Sequence, residues 1–256
     1  MPTDLSGITV DVARAEASRF RHPLLLLHGL WTGGWIWRDF SAYLAHRGWD
    51  AWVPSFLSGR EAPGVESRRR ALLDVCRDLP APPVVVAHDA GLVFADLIAR
   101  DLPLPAIVAI APLALRRPAV WNRPRWWSAA LGGDRVAPPE GAADPFASGI
   151  SEADVRRLRT DSGELFRRVG LREREPGRLV LPGLVVAAEA DPAARLADCR
   201  GLAAQRSWDL RIQAVSSHFP MLGRSATRLA DSVHRWIVRT LGADLLAWVE
   251  DDEPDE

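Results

Sequence analysis

The segment Val84-Val85-Val86-Ala87-His88-Asp89-Ala90-Gly91-Leu92-Val93-Phe94 decides how the rest of the chain is read. Three β-branched residues in succession predict a buried strand, and the run that follows Gly91 predicts a helix. Small residues, Ala87 and Gly91, stand two positions either side of Asp89. A strand turning sharply into a helix leaves room for no more than a methyl group at those positions. Such a turn holds one side chain above the sheet edge on a strained backbone, and here that side chain is Asp89. The alternative is a buried strand–turn–helix in which Asp89 only caps the helix.

Outward from this segment, Pro23 to Leu27 form a short apolar run, as expected of a strand buried on both faces. His28-Gly29-Leu30-Trp31 follows at its carboxyl end, with Gly33-Gly34 close behind. Downstream, Leu184 to Ala188 form another apolar run, ending in Glu189-Ala190-Asp191-Pro192. Later still come Ser216-Ser217-His218-Phe219-Pro220-Met221-Leu222. Taken in this order, the four motifs resemble the α/β-hydrolase superfamily. With Asp in place of the usual serine, Asp89 resembles the nucleophile of its epoxide hydrolase and haloalkane dehalogenase branches. The resemblance implies Asp191 as the triad acid, with Glu189 as the alternative, and His218 as the catalytic histidine. It also implies that the N–H groups of Leu30 and Ala90 form an oxyanion hole. Two fixed amides aimed at one point stabilise developing negative charge without reorganising.

Short apolar strands alternating with helical patterns predict a doubly wound, mainly parallel α/β sheet, with ligands at the strand carboxyl ends. We expect an edge strand at Ile8–Ala13, a helix over Trp35–Arg47 closed by Gly48, and a strand over Trp49–Val53. A loop over Pro54–Gly64 precedes a helix over Val65–Leu79, in which Arg68, Arg69 and Arg70 read as a solvated face. Helix Ala90–Arg100, strand Ala106–Ile110, helix Ala194–Arg206, strand Asp209–Val215 and helix Arg224–Leu241 complete the core. Residues 1–112 and 182–249 make up this core. Residues 113–181, after the sixth strand, match the superfamily's helical cap, and Ser151–Leu171 within them reads as one helix. Trp121, Trp126 and Trp127 either roof the substrate pocket or pack the cap onto the core. His28, Trp31, His88 and Phe219 are expected to line that pocket. The tail 250–256 holds six acids and one Pro and is expected to be disordered.

In a chain of 256 residues, 48% hydrophobic and 25% charged residues are ordinary for a globular protein. A formal net charge of −1 gives no field that favours nucleic acid or an anionic membrane. Every basic residue is Arg, which together with abundant Ala, Gly and Pro reads as coding bias. Two cysteines, Cys76 and Cys199, fit neither a disulfide framework nor a metal cluster, so a reducing, cytoplasmic setting is expected. No apolar stretch reaches transmembrane length. The expected partner is a small-molecule substrate, with no metal and no nucleotide cofactor, since neither GxGxxG nor a P-loop is present.

A carboxylate is ionised at neutral pH at its ordinary pKa and needs no base for a first attack. It suits displacement at an sp³ carbon, opening an epoxide or expelling a halide to leave an alkyl ester on Asp89. His218, oriented by Asp191, would then activate the water that cleaves the ester. Attack on an ordinary carboxylic ester would give an anhydride instead. Three departures from those branches stand out. The single Tyr is Tyr43, in a core helix; Ala90 replaces the halide-binding Trp after the nucleophile; and Trp31 follows His-Gly-Leu where Pro is usual. An indole N–H from Trp31, Trp121, Trp126 or Trp127 is a candidate leaving-group donor. Two other classes remain: a lyase, isomerase or cyclase of a biosynthetic pathway using Asp89 or His218 in acid–base roles, and a silent homologue that binds a ligand.

Overall fold

The computed structural model describes residues 3–5, 8–56, 63–113, 124–170, 180–214 and 217–246. Ten strands lie within them. The main sheet is built from β1 (Thr3–Leu5), β2 (Ile8–Ala13), β3 (Leu24–Leu27), β4 (Ala51–Ser55), β5 (Val84–His88), β6 (Ile107–Ile110), β9 (Gly183–Ala188) and β10 (Asp209–Gln213). Its order is β1-β2-β4-β3-β5-β6-β9-β10. β1 and β2 run antiparallel to their neighbours; every pairing from β4 to β10 is parallel. This is the expected mainly parallel sheet, although β1 rather than β2 forms the edge.

Every residue of β3, β5, β6 and β9 is buried, which is why these strands are unbroken apolar runs rather than alternating ones. β4 extends through Pro54, two residues beyond the expected end at Val53. Its pairing with β3 stops at Trp52, so the missing N–H at Pro54 costs no ladder bond on that side. The helices are α1 (Arg38–His46), α2 (Val65–Arg77), α3 (Gly91–Ala99), α7 (Leu196–Arg206) and α8 (Ala226–Leu241). α1 packs on α8 and α2 on α3. α8 buries Ala226, Leu229, Ala230, Val233, Trp236 and Ile237, one face at helical spacing.

Between β6 and β9 the chain leaves the sheet. Its described part holds α4 (Trp127–Ala130), α5 (Glu152–Val155), α6 (Gly163–Gly170) and a two-stranded ribbon of β7 (Arg135–Val136) and β8 (Asp161–Ser162). The single helix expected over Ser151–Leu171 is therefore interrupted. Ser151 caps α5 through the Asp154 N–H, but Asp161 is drawn into the interior, and Ser162 Oγ accepts from Leu165 N to start α6. Trp121, Arg116, Arg117, Arg123 and the acidic tail lie outside the described residues. No helix among the described residues is long and apolar enough to cross a membrane.

Candidate active site

β5 ends at His88, and the next residue, Asp89, takes φ +53 before α3 begins. Ala90 is the N-cap of α3 and no side chain caps it, so Asp89 does not serve as a helix cap. Two glycines make the geometry possible. A Cβ on Gly91 would lie 2.7 Å from the Leu27 carbonyl oxygen, so only glycine lets α3 approach β3 this closely. A Cβ on Gly29 would lie 2.4 Å from Asp89 Cβ, so only glycine lets the loop after β3 pass over the carboxylate. That passage brings Leu30 N–H to 3.1 Å from Asp89 Oδ2.

Four non-glycine residues among those described have positive φ, and three of them, Trp31, Asp89 and Ala111, follow the carboxyl ends of β3, β5 and β6. Backbone strain is thus concentrated on one rim of the sheet.

The two oxygens of Asp89 are unlike. Oδ2 accepts from the Leu30 amide, whereas Oδ1 is buried without a hydrogen-bond partner. Burial pushes the Asp89 carboxyl up to about 7, against the pull of His218 and the Leu30 and Ala90 amides. Burial thus favours the neutral form of this carboxyl far more than the ordinary carboxylate behaviour expected from the sequence.

His218 and Asp191 meet in the interior. His218 Nδ1 lies 2.9 Å from Asp191 Oδ2, and Asp191 Oδ1 accepts from Ala193 N at 2.7 Å and Ala194 N at 2.9 Å. Burial works against both charged forms. Their mutual attraction outweighs it, holding Asp191 below the usual carboxylate range and raising His218 above that of histidine. With Nδ1 engaged, Nε2 is the histidine nitrogen left for chemistry. Glu189 is exposed and takes no part in this pairing.

The residues expected to line a pocket divide into two sets. His88 Nε2 donates to the His218 carbonyl at 2.9 Å, its ring lies 4.9 Å from that of His218, and burial keeps it neutral with a pKa lowered to about 3. Phe219 packs edge-on to His218 at 5.2 Å. His28 is occupied at both nitrogens, with Nδ1 on Gly29 O at 2.9 Å and Nε2 accepting from Phe56 N at 3.2 Å. Burial holds it near pKa 4, and it braces the loop behind the Asp89 carboxylate. Trp31 stacks on Trp126 at 5.2 Å, with Phe146 and Phe166 around them. The Trp126 indole donates to Ala137 O, whereas Trp31 Nε1 is buried without an acceptor. Trp127 is 41% exposed.

One sequence reading is overturned here. Arg68 was expected on a solvated face but is fully buried, paired with Asp161 at 2.5 Å and lying over the rings of Phe56 and Phe94. Its spacing carried the signal: Val65, Arg68, Leu72 and Val75 fall on one buried face of α2. Nothing in the sequence marks Asp161, whose partner lies 93 residues away. Arg69 and Arg70 do keep partly or largely exposed side chains, paired with Glu66. Among the described residues no group of His, Cys, Asp or Glu is arranged to hold a metal ion.

A model of the alpha/beta hydrolase family matches residues 24–232. No curated protein matches the chain. Solved structures share its fold. A monoglyceride lipase from Saccharomyces cerevisiae is 11% identical, with a TM-score of 0.73 and 94% of each chain covered. A thermophilic esterase from Thermogutta terrifontis is 17% identical, TM-score 0.67, with 94% of this chain and 99% of that one covered. An epoxide hydrolase from Vigna radiata is 20% identical, TM-score 0.63, with 93% of this chain and 97% of that one covered.

Proposed function

The chain belongs to the alpha/beta hydrolase family, and from that premise we propose that it hydrolyses a small alkyl electrophile through an ester formed on Asp89. The observation that carries this reading is the inequality of the two Asp89 oxygens. Oδ1, without a partner, attacks an sp³ carbon as the carbon–halide or epoxide carbon–oxygen bond breaks. Oδ2 then becomes the ester carbonyl oxygen and already sits against the Leu30 amide. His218 Nε2 takes a proton from water, the water oxygen attacks Asp89 Cγ, and the charge gathers on Oδ2. Collapse expels the alkoxide, which takes the proton from His218, and Asp89 is left as a carboxylic acid carrying one oxygen from water, whose proton passes to solvent to restore the carboxylate. In the free enzyme Oδ2 occupies the place that the carbonyl oxygen of a carboxylic ester substrate would need, which argues against acyl transfer.

The leaving group favours a halide over an epoxide. A halide leaves without a proton, and the buried indole N–H of Trp31 is a donor for it. An opened epoxide needs an acid, and Tyr43 is committed to Asp231 at 2.8 Å. In this reading residues 113–181 act as the cap and the Trp31–Trp126 stack closes the site beneath it. Acid–base catalysis without a covalent intermediate is the second reading, favoured by an Asp89 carboxyl near 7, which suits proton transfer at neutral pH.

Intact-protein mass spectrometry separates the two. Wild type and His218→Ala are exposed to a panel of alkyl halides, haloacids and epoxides. A mass gain that persists in His218→Ala and maps to Asp89 is the expected result. A folded variant with no adduct from any member of the panel transfers the case to acid–base chemistry.

A further inference from the structure

The buried ion pair of Arg68 and Asp161 has no part in the steps above, yet it joins three segments distant in the chain. Both side chains are fully buried. Asp161 Oδ1 accepts from Arg68 Nη2 at 2.5 Å and from Ser162 N at 2.7 Å, while Oδ2 accepts from Trp31 N at 2.9 Å. Two residues earlier, Arg159 N donates to the Trp31 carbonyl at 2.9 Å. Both backbone polar groups of Trp31, a residue at φ +62, are therefore held by residues 159–161. The consecutive amides of Leu30 and Trp31 point to two different carboxylates, Asp89 and Asp161.

We propose that Asp161, oriented by Arg68, is a positioning residue for the reaction at Asp89: by anchoring the Trp31 amide it aims the Leu30 amide at the nucleophile. Peptide units are rigid planes joined at two soft dihedrals per residue, so fixing the Trp31 N–H and C=O leaves the Leu30 amide little freedom. The Gly29–Leu30 peptide is held at its carbonyl by His28 Nδ1 at 2.9 Å and Thr32 Oγ1 at 3.2 Å, and the Asp161 anchor fixes the next peptide. Without that anchor the left-handed turn at Trp31 loses its amide acceptor, and the Leu30 amide is fixed from one side alone. Arg68 supplies the charge without which a carboxylate is not kept in this interior. Its Nε is itself fixed on Pro63 O at 2.9 Å. The proposal rests on the reading of Leu30 N–H as an oxyanion donor.

Amide hydrogen exchange, read residue by residue by NMR on the full chain, tests it through two neutral pairs. Arg68→Met/Asp161→Leu fills the space and removes the acceptor for Trp31 N–H. Arg68→Gln/Asp161→Asn removes the charges but keeps an oxygen acceptor. In the Met/Leu variant the Leu30 and Trp31 amides are expected to exchange about tenfold faster or more, with Leu25–Leu27 of β3 unchanged. In the Gln/Asn variant Leu30 stays within about threefold of wild type. Equal behaviour of the two variants at Leu30, or acceleration at Trp31 alone, overturns the proposal. Exchange is recorded on the free protein, so its outcome is independent of whether Asp89 forms an ester.

Discussion

Two strand-end turns, one on each side of β6, each bury an aspartate and shift its carboxyl in opposite directions. At the end of β9, Asp191 has three donors on its two oxygens, the amides of Ala193 and Ala194 and His218 Nδ1. These hold it ionised although it is 6% exposed. At the end of β5, Asp89 is 4% exposed and has one close amide donor, and burial prevails, pushing its carboxyl to about 7. The residue type is the same, so in the proposed mechanism it is the donors at each oxygen that separate the two roles. A fully bonded carboxylate orients its neighbour. A carboxylate with one oxygen free is available to react.

The contrast breaks most visibly at the free oxygen. Asp89→Asn is expected to lower alkylation by about 10⁴-fold or more, because the amide is a far weaker nucleophile; the rate of adduct formation in stopped mass spectrometry reads it. Asp191→Asn should cut release of the adduct by about 10³- to 10⁴-fold, by leaving His218 in the wrong tautomer. Alkylation itself should change by less than about tenfold, since His218 is not needed for that step. Equal losses in both steps would erase the distinction between the two turns.

The same contrast has a stability signature. A carboxyl raised from 3.8 to about 7 by folding favours the folded state while protonated, and that advantage is lost as pH rises from about 4 to about 7. Asp89→Asn removes the ionisation, so its stability should match wild type near pH 4 and exceed it by on the order of 4 kcal/mol above pH 7. Denaturant melts across that range check it. Asp191, held below its usual range, contributes with the opposite sign: its stabilisation is present above the unfolded pKa and is lost as pH falls. Last and smallest, the alkylation rate should climb about tenfold per pH unit below pH 7 and level off above it, as Asp89 ionises.

Much of this was legible in the sequence because it rests on local sterics. Gly91 and the β-branched run before Asp89 announce close approach and a buried strand, and the structure places both where those constraints demand, whereas the passage of Gly29 over Asp89 emerges only in the fold. Asp191 and His218 could be aligned by their strand-end motifs, and they meet at 2.9 Å. What escaped depends on partners remote in sequence. Arg68 reads as one of three consecutive arginines, and only Asp161, reached across the fold, makes its burial possible. The same pairing interrupts the expected Ser151–Leu171 helix. The carboxyl of Asp89 could not be assigned a raised pKa from the sequence either, since that depends on how completely the loop after β3 and the residues around it exclude water.

Oxygen labelling tests the ester on Asp89 most directly. Wild-type protein is turned over with the electrophile panel in ¹⁸O-water, digested, and the peptide containing Asp89 is weighed. A covalent route through Asp89 leaves heavy oxygen in the Asp89 carboxylate after repeated turnovers, and an unlabelled product oxygen in the first turnover, since Asp89 donates it. Label in the product from the first turnover, with Asp89 unlabelled, would mean that water attacks the substrate itself and would contradict the covalent route.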